Sequence, residues 1–164
     1  MLMNTTILPP SDCATRELTA FKELVNSGGA IDPDGLTERI HRAFQLFFLR
    51  TSAGELAAIA ALKRPYPDYR TGVFRKARSI FAPDAYTLEL GWVVVAPAYR
   101  GQRLPHRIIS ELLPRAGNEP VFATTREDKH AMQYALGECG FQRNGDPYPS
   151  EGESYNLILY VRPV

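Results

Sequence analysis

Residues 91–108 read GWVVVAPAYRGQRLPHRI and contain an abrupt change of pattern. A run of valines, typical of a buried strand, ends at Pro97. A basic turn containing Arg100 and Gly101 follows, and from Leu104 the apolar residues recur at helical spacing. The stretch therefore predicts a strand that leads through a glycine-containing turn directly into a helix.

Such a unit is a candidate anion site. The first turn of a helix carries backbone N–H groups without intrahelical partners and about half a positive charge. A glycine in the preceding turn lets an anion approach these amides, and arginine side chains add attraction for phosphate. The alternative is an ordinary surface turn with a solvated basic patch, because short glycine turns before helices are common. The residues by themselves leave both interpretations open.

Further elements extend from this unit in both directions. Two helices, an antiparallel hairpin and then alternating strands and helices indicate an α/β protein with a mixed sheet. The length of 164 residues suits a single domain, 1–164. Apolar periodicity and turn residues predict, in the first part of the chain, a strand at 4–8, a helix capped by Ser11 or Asp12 and reaching about Asn26, a helix at 34–43, and hairpin strands at 44–50 and 55–63. In the second part they predict a strand at 88–95, a helix from Leu104 stopped by Pro114, a strand at 121–125, a helix at 131–139 ending at Gly140, and a strand at 155–161.

Composition narrows the classes of partner. Lys plus Arg total 19 and Asp plus Glu total 18, so the overall charge argues against nucleic-acid and membrane partners. The cysteines, Cys13 and Cys139, are far apart, and no histidine has ligand spacing to another histidine or to a cysteine, so we expect no disulfide and no metal. No basic, apolar leader opens the sequence, and no stretch approaches the roughly 18 apolar residues of a membrane span. We expect a cytoplasmic protein.

Two blocks together resemble a known family. Val-x-Pro-x-Tyr-Arg-Gly after an apolar strand resembles the acetyl-CoA signature of the GCN5-related N-acetyltransferases (the GNAT family). The helix at 131–141, which closes in Gly-Phe, is similar to the family's next motif, and the two blocks cover about residues 87–141. The resemblance implies a GNAT-like fold, a mostly antiparallel sheet in which two parallel strands splay apart and helices flank the sheet, with acetyl-CoA as cosubstrate.

The resemblance also assigns coenzyme contacts. Strand residues at 93–95 would leave backbone groups open to the pantetheine arm, and the turn at 100–105 would surround the pyrophosphate. Lys129 stands where many members have asparagine. The implied coenzyme-binding residues are Val93, Val94, Val95, Arg100, Gly101, Gln102, Arg103, Leu104, Pro105 and Lys129.

Two positions in the turn depart from the family pattern Arg-Gly-x-Gly-x-Gly/Ala. Arg103 stands at the second glycine, and Pro105 stands at the third glycine or alanine. Proline has no N–H, so one donor to phosphate is missing, although proline suits the first turn of a helix. Arg103 could replace that donor through its side chain. The alternative is a pocket that has lost the coenzyme.

The resemblance to the family provides a candidate general base but no general acid. Transfer to an amine needs a neutral nitrogen, so a general base must remove a proton from the ammonium, and Glu89 matches the position of the family's catalytic glutamate. The alternative is a glutamate at the edge of the sheet, paired with an arginine. Leu136 stands at the position where many members of the family have a tyrosine that acts as the general acid. The other candidate acids are Tyr134, Tyr148 and Tyr155.

The segment 64–80 separates the hairpin from the Glu89 strand. It predicts a helix at about 69–78, and arginines such as Arg70 and Arg75 suggest recognition of an anionic or zwitterionic acceptor. The alternative is a solvated helix that packs through Tyr69, Val73, Ala77 and Ile80. We therefore expect an N-acetyltransferase acting on a small amine, alone or as a homodimer. The competing interpretations are a non-catalytic CoA-binding or protein-binding module and, through residues 63–78, a nucleic-acid-binding protein.

Overall fold

The computed structural model describes residues 2–29 and 33–163. They form one seven-stranded sheet in the order β1-β2-β3-β4-β5-β7-β6, in which every adjacent pair is antiparallel except β4 and β5. The strands are β1 (Met3–Leu8), β2 (Gln45–Thr51), β3 (Leu56–Lys63), β4 (Leu88–Val95), β5 (Val121–Arg126), β6 (Gln142–Pro149) and β7 (Asn156–Arg162). The α-helices are α1 (Thr15–Ser27), α2 (Leu36–Arg42), α3 (Pro67–Lys76), α4 (Leu104–Leu112) and α5 (His130–Glu138).

Helices cover both faces of the sheet. On one face, α4 and α5 pack on the middle strands through a core that includes Ile108, Leu112 and Leu136. On the other face, α1 and α2 pack on β2–β4 around Phe21 and Phe48, and α3 packs separately on β5–β7. The second face therefore has two apolar clusters, and the boundary between them falls between the central strands β4 and β5.

This architecture confirms the predicted α/β class, with a mixed sheet and a single parallel pair in the described residues. The strand predicted at 88–95 coincides with β4, and the hairpin is β2–β3. No helix in the described ranges is long and apolar enough to cross a membrane.

Three local predictions are wrong. The first helix starts at Thr15, not after Ser11 or Asp12, because a 3-10 turn at Pro10–Asp12 intervenes and the Glu17 side chain accepts a hydrogen bond from the Ala14 N–H at 2.8 Å. Ile80 is 90% exposed, because α3 ends at Lys76 and Arg78 turns the chain with a φ of 57°.

The third error is an omitted strand, β6. Its sequence, QRNGDPYP, has little apolar alternation, and its two prolines argue against a strand. β6 pairs with β7 alone, at the edge of the sheet, and its register shifts between Asn144 and Tyr148. An edge position tolerates prolines and a bulge, because one side of the strand makes no ladder.

Candidate active site

The parallel strands β4 and β5 part after two residues of contact. In the described chain they pair at Leu88–Val121 and Glu89–Phe122, yet β4 continues to Val95 and β5 continues to Arg126. Each strand stays paired on its other side, β4 with β3 and β5 with β7. A wedge-shaped gap therefore opens in the middle of the sheet, and two unpaired backbone edges face each other across it.

A β-bulge lies at the start of this gap. Ala61 pairs with Gly91 and Ile59 pairs with Val94, so Trp92 and Val93 together oppose a single residue of β3. Trp92 has a φ of 51°, which is rare for a bulky residue. Its ring is buried against Phe21, with centroids 5.9 Å apart. Strained backbone of this kind clusters at functional sites, where the surrounding packing maintains it.

The turn after β4 is exposed to solvent at residues 100–103. A 3-10 turn at Pro97–Tyr99 anchors it through the buried Tyr99. Gly101 has a φ of 81°, and no described atom lies within 4 Å of the place where its Cβ would be. Arg103 is the N-cap of α4 with a φ of 57°, and Pro105 lies in the first turn of that helix. The predicted phosphate-binding residues therefore sit together at one helix N-terminus beside the mouth of the gap.

Glu89 lies at the closed end of the gap and is 2% exposed. Its Oε2 accepts a hydrogen bond from the Tyr69 hydroxyl at 3.1 Å, and its Oε1 lies 3.4 Å from Lys63 Nζ. The alternative drawn from the sequence, an edge glutamate paired with an arginine, is wrong in both details. The strand is central, and the partners are a lysine and a tyrosine.

Two tyrosines surround this carboxylate. Tyr69, on α3, is 47% exposed as a whole, but its hydroxyl reaches the buried Glu89. Burial raises the pKa of Tyr69 well above its usual range, and the Glu89 charge raises it further. Burial likewise raises the pKa of Tyr148, with a further contribution from Glu89. The buried Tyr148 hydroxyl has no hydrogen-bond partner within residues 2–29 and 33–163.

The other candidate acids are less suitable. Tyr134 is 62% exposed, and Tyr155 lies beneath the Arg126 guanidinium, 4.0 Å from ring centroid to Cζ. Leu136 is fully buried in the core below α5 and has no proton to donate. Lys129 is the exposed N-cap residue of α5. Of the three tyrosines named from the sequence, the structure therefore brings Tyr148 alone close to Glu89.

The basic segment 64–80 is partly used in packing. The Arg70 side chain is 11% exposed and pairs with Asp84 at 3.5 Å, and the Arg64 guanidinium lies 5.1 Å from the centroid of the Phe44 ring. Arg75 is exposed on α3. Val73, Phe74 and Ala77 are buried and anchor α3 to β5–β7. The helix is therefore a fixed wall of the site, and Arg75 is the arginine of the candidate pair that faces solvent.

A separate surface pocket lies at the carboxyl end of β5. It is lined by Glu127, Asp128, His130, Ser154, Tyr155 and Asn156. Tyr155, one of the candidate acids, lines this pocket, but neither Glu89 nor any predicted coenzyme-binding residue does.

Known structures resemble the fold of this chain, whereas comparisons of its sequence find no match. No protein-family model matches the chain, and no curated protein sequence matches it. An acyl-CoA N-acyltransferase from Pseudomonas aeruginosa superposes with a TM-score of 0.72 at 18% identity over 98% of this chain and 99% of that chain. A GNAT-family acetyltransferase from Streptococcus agalactiae gives 0.67 at 16% identity over 96% and 94%. The structure of yncA from Salmonella typhimurium with its cofactor acetyl-CoA gives 0.64 at 16% identity over 98% and 93%.

The chain has the GNAT fold. The splayed parallel pair that the resemblance implied is present, because β4 and β5 separate after Glu89. Within the GNAT fold, Val93, Val94 and Val95 lie on the open edge of β4, and the turn at 100–105 lies at its mouth. Their contacts with a coenzyme stay predictions.

Sequence reasoning missed Lys63 and gave Tyr69 and Tyr148 only minor roles. Lys63 ends an apolar strand and looks like an ordinary boundary residue. Its significance comes from the register, because Lys63 lies directly opposite Glu89 in the β3–β4 ladder. Without the pairing of distant strands, the sequence offers no signal for this ion pair.

Proposed function

We propose that the protein is an acetyl-CoA-dependent N-acetyltransferase of the cytoplasm, which transfers acetyl directly to the primary amine of a small molecule. The observation that carries the proposal is the gap after Glu89 and Phe122, which exposes the backbone of β4 beside an open helix N-terminus. A ligand with an extended arm and an anionic head group suits this arrangement. Its arm completes the ladder of the unpaired strand, and the helix amides receive the head.

The residues present fit the coenzyme. Backbone groups of Val93–Val95 would hold the pantetheine arm, and the open space at Gly101 would let pyrophosphate oxygens approach the amides of the turn. Pro105 contributes no N–H, but Arg100 and Arg103 are exposed at the same turn and can donate through their side chains. Lys129, at the start of α5, would add a further positive charge.

The chain's own groups would then manage the proton of the amine. Acetyl-CoA, when bound, supplies an acetyl thioester. Glu89 removes the proton from the acceptor ammonium, and because this carboxylate is buried, the proton passes through the Tyr69 hydroxyl or a water molecule. Leu136 has no proton to donate to a leaving thiolate, so a protein acid would have to come from elsewhere, and of the candidate tyrosines Tyr148 lies near Glu89. Holding both reactants in one gap supplies the remaining acceleration.

The acceptor is the least defined part of the proposal. We propose a small amine that carries a carboxylate or phosphate, because Arg75 is exposed on the helix that borders the site, whereas Arg70 is engaged by Asp84. The near balance of charges, 19 against 18, gives no support to a nucleic-acid partner. A homodimer is compatible with this proposal.

Thermal unfolding in the presence of acetyl-CoA, longer acyl-CoAs and free CoA tests the coenzyme part. Specific binding to the native state raises the melting temperature, and we expect each CoA to do so. Gly101→Glu should stay folded, because the Cβ position is open and the left-handed φ of 81° costs about 1–2 kcal/mol, but should lose the shift, because a carboxylate would then face the pyrophosphate. A variant that keeps the full shift would contradict the placement of the phosphate.

Thiol release over a panel of anionic, zwitterionic and cationic amines tests catalysis. Turnover with any primary amine, and its loss in Glu89→Gln, supports the proposed reaction. Binding of acetyl-CoA without thiol release from any amine would instead support a non-catalytic CoA-binding module.

A further inference from the structure

Three side chains surround the Lys63 ammonium beside Glu89 in the candidate site. Its Nζ lies 3.4 Å from Glu89 Oε1, 4.5 Å from the centroid of the Trp92 ring and 5.9 Å from that of Tyr69. The Lys63 side chain is 16% exposed. A carboxylate and aromatic faces at such distances are what an ammonium group needs for binding. Lys63 therefore occupies the kind of environment in which an acceptor amine would be bound.

Gly91 determines the path of the Lys63 side chain. A Cβ at position 91 would lie 2.7 Å from Lys63 Cδ and 3.5 Å from its Nζ. The absence of that atom lets the lysine lie flat along β4, from its register partner Glu89 toward Trp92. The amine is therefore directed along the strand in the direction in which β4 separates from β5.

The Lys63 amine therefore lies beside the closed end of the gap and points toward its open part. Glu89 is in the last residue pair between β4 and β5, and Trp92 lies in the bulge just beyond it. In the proposed function, the coenzyme arm enters at the turn 100–105 and runs along Val95 to Val93, so its acyl end points toward the same place. Lys63 Nζ thus lies between the candidate base and the expected position of the acetyl group.

We propose that Lys63 is itself an acetyl acceptor, so that the protein acetylates its own Lys63 from acetyl-CoA. This inference rests on the proposed function. Glu89 takes one proton from the Lys63 ammonium, and the nitrogen lone pair forms a C–N bond to the thioester carbonyl carbon. The C–S bond breaks, the sulfur leaves with its electron pair as thiolate, and the second proton of the nitrogen passes to solvent. The products are N-acetyllysine at position 63 and free CoA.

Acetylation would change the charge of the site. An acetylated Lys63 carries no positive charge, so the ion pair with Glu89 ends. The acetyl group would also fill space beside Trp92 and Glu89, where the proposed base would meet an external amine. Self-acetylation therefore competes with turnover of a small amine at the same site.

Peptide mass spectrometry of the full chain incubated with isotopically labelled acetyl-CoA tests the proposal. The sequence has four lysines, Lys22, Lys63, Lys76 and Lys129, so each can be followed separately. Lys76 is the matched control, because its Nζ lies 3.1 Å from Glu151 but at the far end of α3, and its side chain is 41% exposed. General base catalysis predicts that Lys63 is acetylated about 100-fold faster than Lys76, although it is less exposed.

Two further measurements separate catalysis from simple reactivity. The first-order rate constant for Lys63 should not change on dilution of the protein, because donor and acceptor are bound to one chain. Glu89→Gln should slow acetylation of Lys63 by about 100-fold and leave Lys76 unchanged. Lys63→Arg, which keeps the positive charge opposite Glu89, should lose the fast acetylation and keep the melting-temperature shift with acetyl-CoA.

The outcomes distinguish this inference from the proposed function. Lys63 acetylated no faster than Lys76, in protein that binds acetyl-CoA and acetylates an amine of the panel, would overturn the inference alone and leave Lys63 as a counter-ion of Glu89. If the Lys63→Arg protein still gained the acetyl label at the fast rate, another residue would be the acceptor, and the inference would also be overturned. No melting-temperature shift with any CoA would overturn the proposed function and the inference together.

Discussion

Gly101 and Gly145 share a backbone conformation but lie in opposite surroundings. Their φ angles are 81° and 74°, both in the left-handed region that favours glycine. Around Gly101, in the turn before α4, no described atom approaches the position of a Cβ within 4 Å. At Gly145, in the bulge of β6, a Cβ would overlap the carbonyl oxygen of Ala77, at the end of α3. Gly101 therefore borders open space, whereas Gly145 lets β6 lie in contact with the end of α3.

An arginine accompanies each of these glycines. Arg103 and Arg78 both have a φ of 57°, which costs a residue with a side chain about 1–2 kcal/mol. Arg103 lies two residues after Gly101 at the helix N-terminus, and Arg78 follows Ala77 and pairs with Asp146 at 3.5 Å. The two regions therefore contain the same unusual conformations. Only the surroundings therefore distinguish the open turn at 100–105 from the packed region around Gly145 and Ala77.

The largest effect is expected at the packed region. Gly145→Ala should lower the free energy of unfolding by about 3 kcal/mol, because it adds a steric clash to the left-handed strain and threatens the 2.7 Å hydrogen bond from the Asp146 N–H to the Ala77 carbonyl. Gly152→Ala is the control, since Gly152 has a φ of 75° and open space around its Cβ position in the described chain, and should cost about 1 kcal/mol. Denaturant unfolding measures both. Equal losses would remove the proposed difference between the regions.

An intermediate effect is expected for Arg103→Gly in the open turn. The variant should be more stable than the wild type but should bind acetyl-CoA more weakly. Arg103→Gly relieves backbone strain and should raise the free energy of unfolding by up to about 1 kcal/mol. It also removes a side chain that would contact phosphate, so the Kd for acetyl-CoA should rise about ten-fold.

Arg78→Gly is the matched control for this prediction. It should give a similar gain in stability, offset slightly by loss of the exposed pair with Asp146, and no change in Kd. Calorimetric titration gives the affinities. An unchanged Kd for Arg103→Gly would show that its side chain does not replace the donor missing at Pro105.

The smallest effect at neutral pH is expected for Tyr148→Phe, in the packed region. The buried hydroxyl has no partner in the described residues, so its removal should change the free energy of unfolding by no more than about 0.5 kcal/mol. At alkaline pH the variant should become the more stable protein. The folded pKa of Tyr148 lies above the ordinary value of 10.0, so between these two values the unfolded chain loses a proton that the folded chain keeps, and stability falls as pH rises.

Urea unfolding of wild type and Tyr148→Phe from pH 8 to pH 11 measures this difference. Tyr134→Phe, at a tyrosine that is 62% exposed, is the control and should follow the wild type. Parallel curves for wild type and Tyr148→Phe would contradict the burial of this hydroxyl beside Glu89.

Several elements were predictable because local pattern and tertiary role agree. β4 has the predicted bounds since its valine-rich sequence suits a central strand and Pro97 ends it. β6 was not predictable, because its stability comes from pairing with β7 and from the contact of Gly145 with α3. Lys63 was missed for a similar reason. The residue type is ordinary, and only the register with β4 places its amine at Glu89.

The sequence alone determined the α/β class, the order of all but one strand, and the chemistry of a basic glycine turn ahead of a helix. These properties depend on residues that are near one another in the chain, where periodicity and backbone preference act directly. The tertiary structure decided where β4 and β5 part, which partners Glu89 receives, and which left-handed residues face open space. Each of these depends on strands and helices that are distant in sequence, so it is set by packing and register.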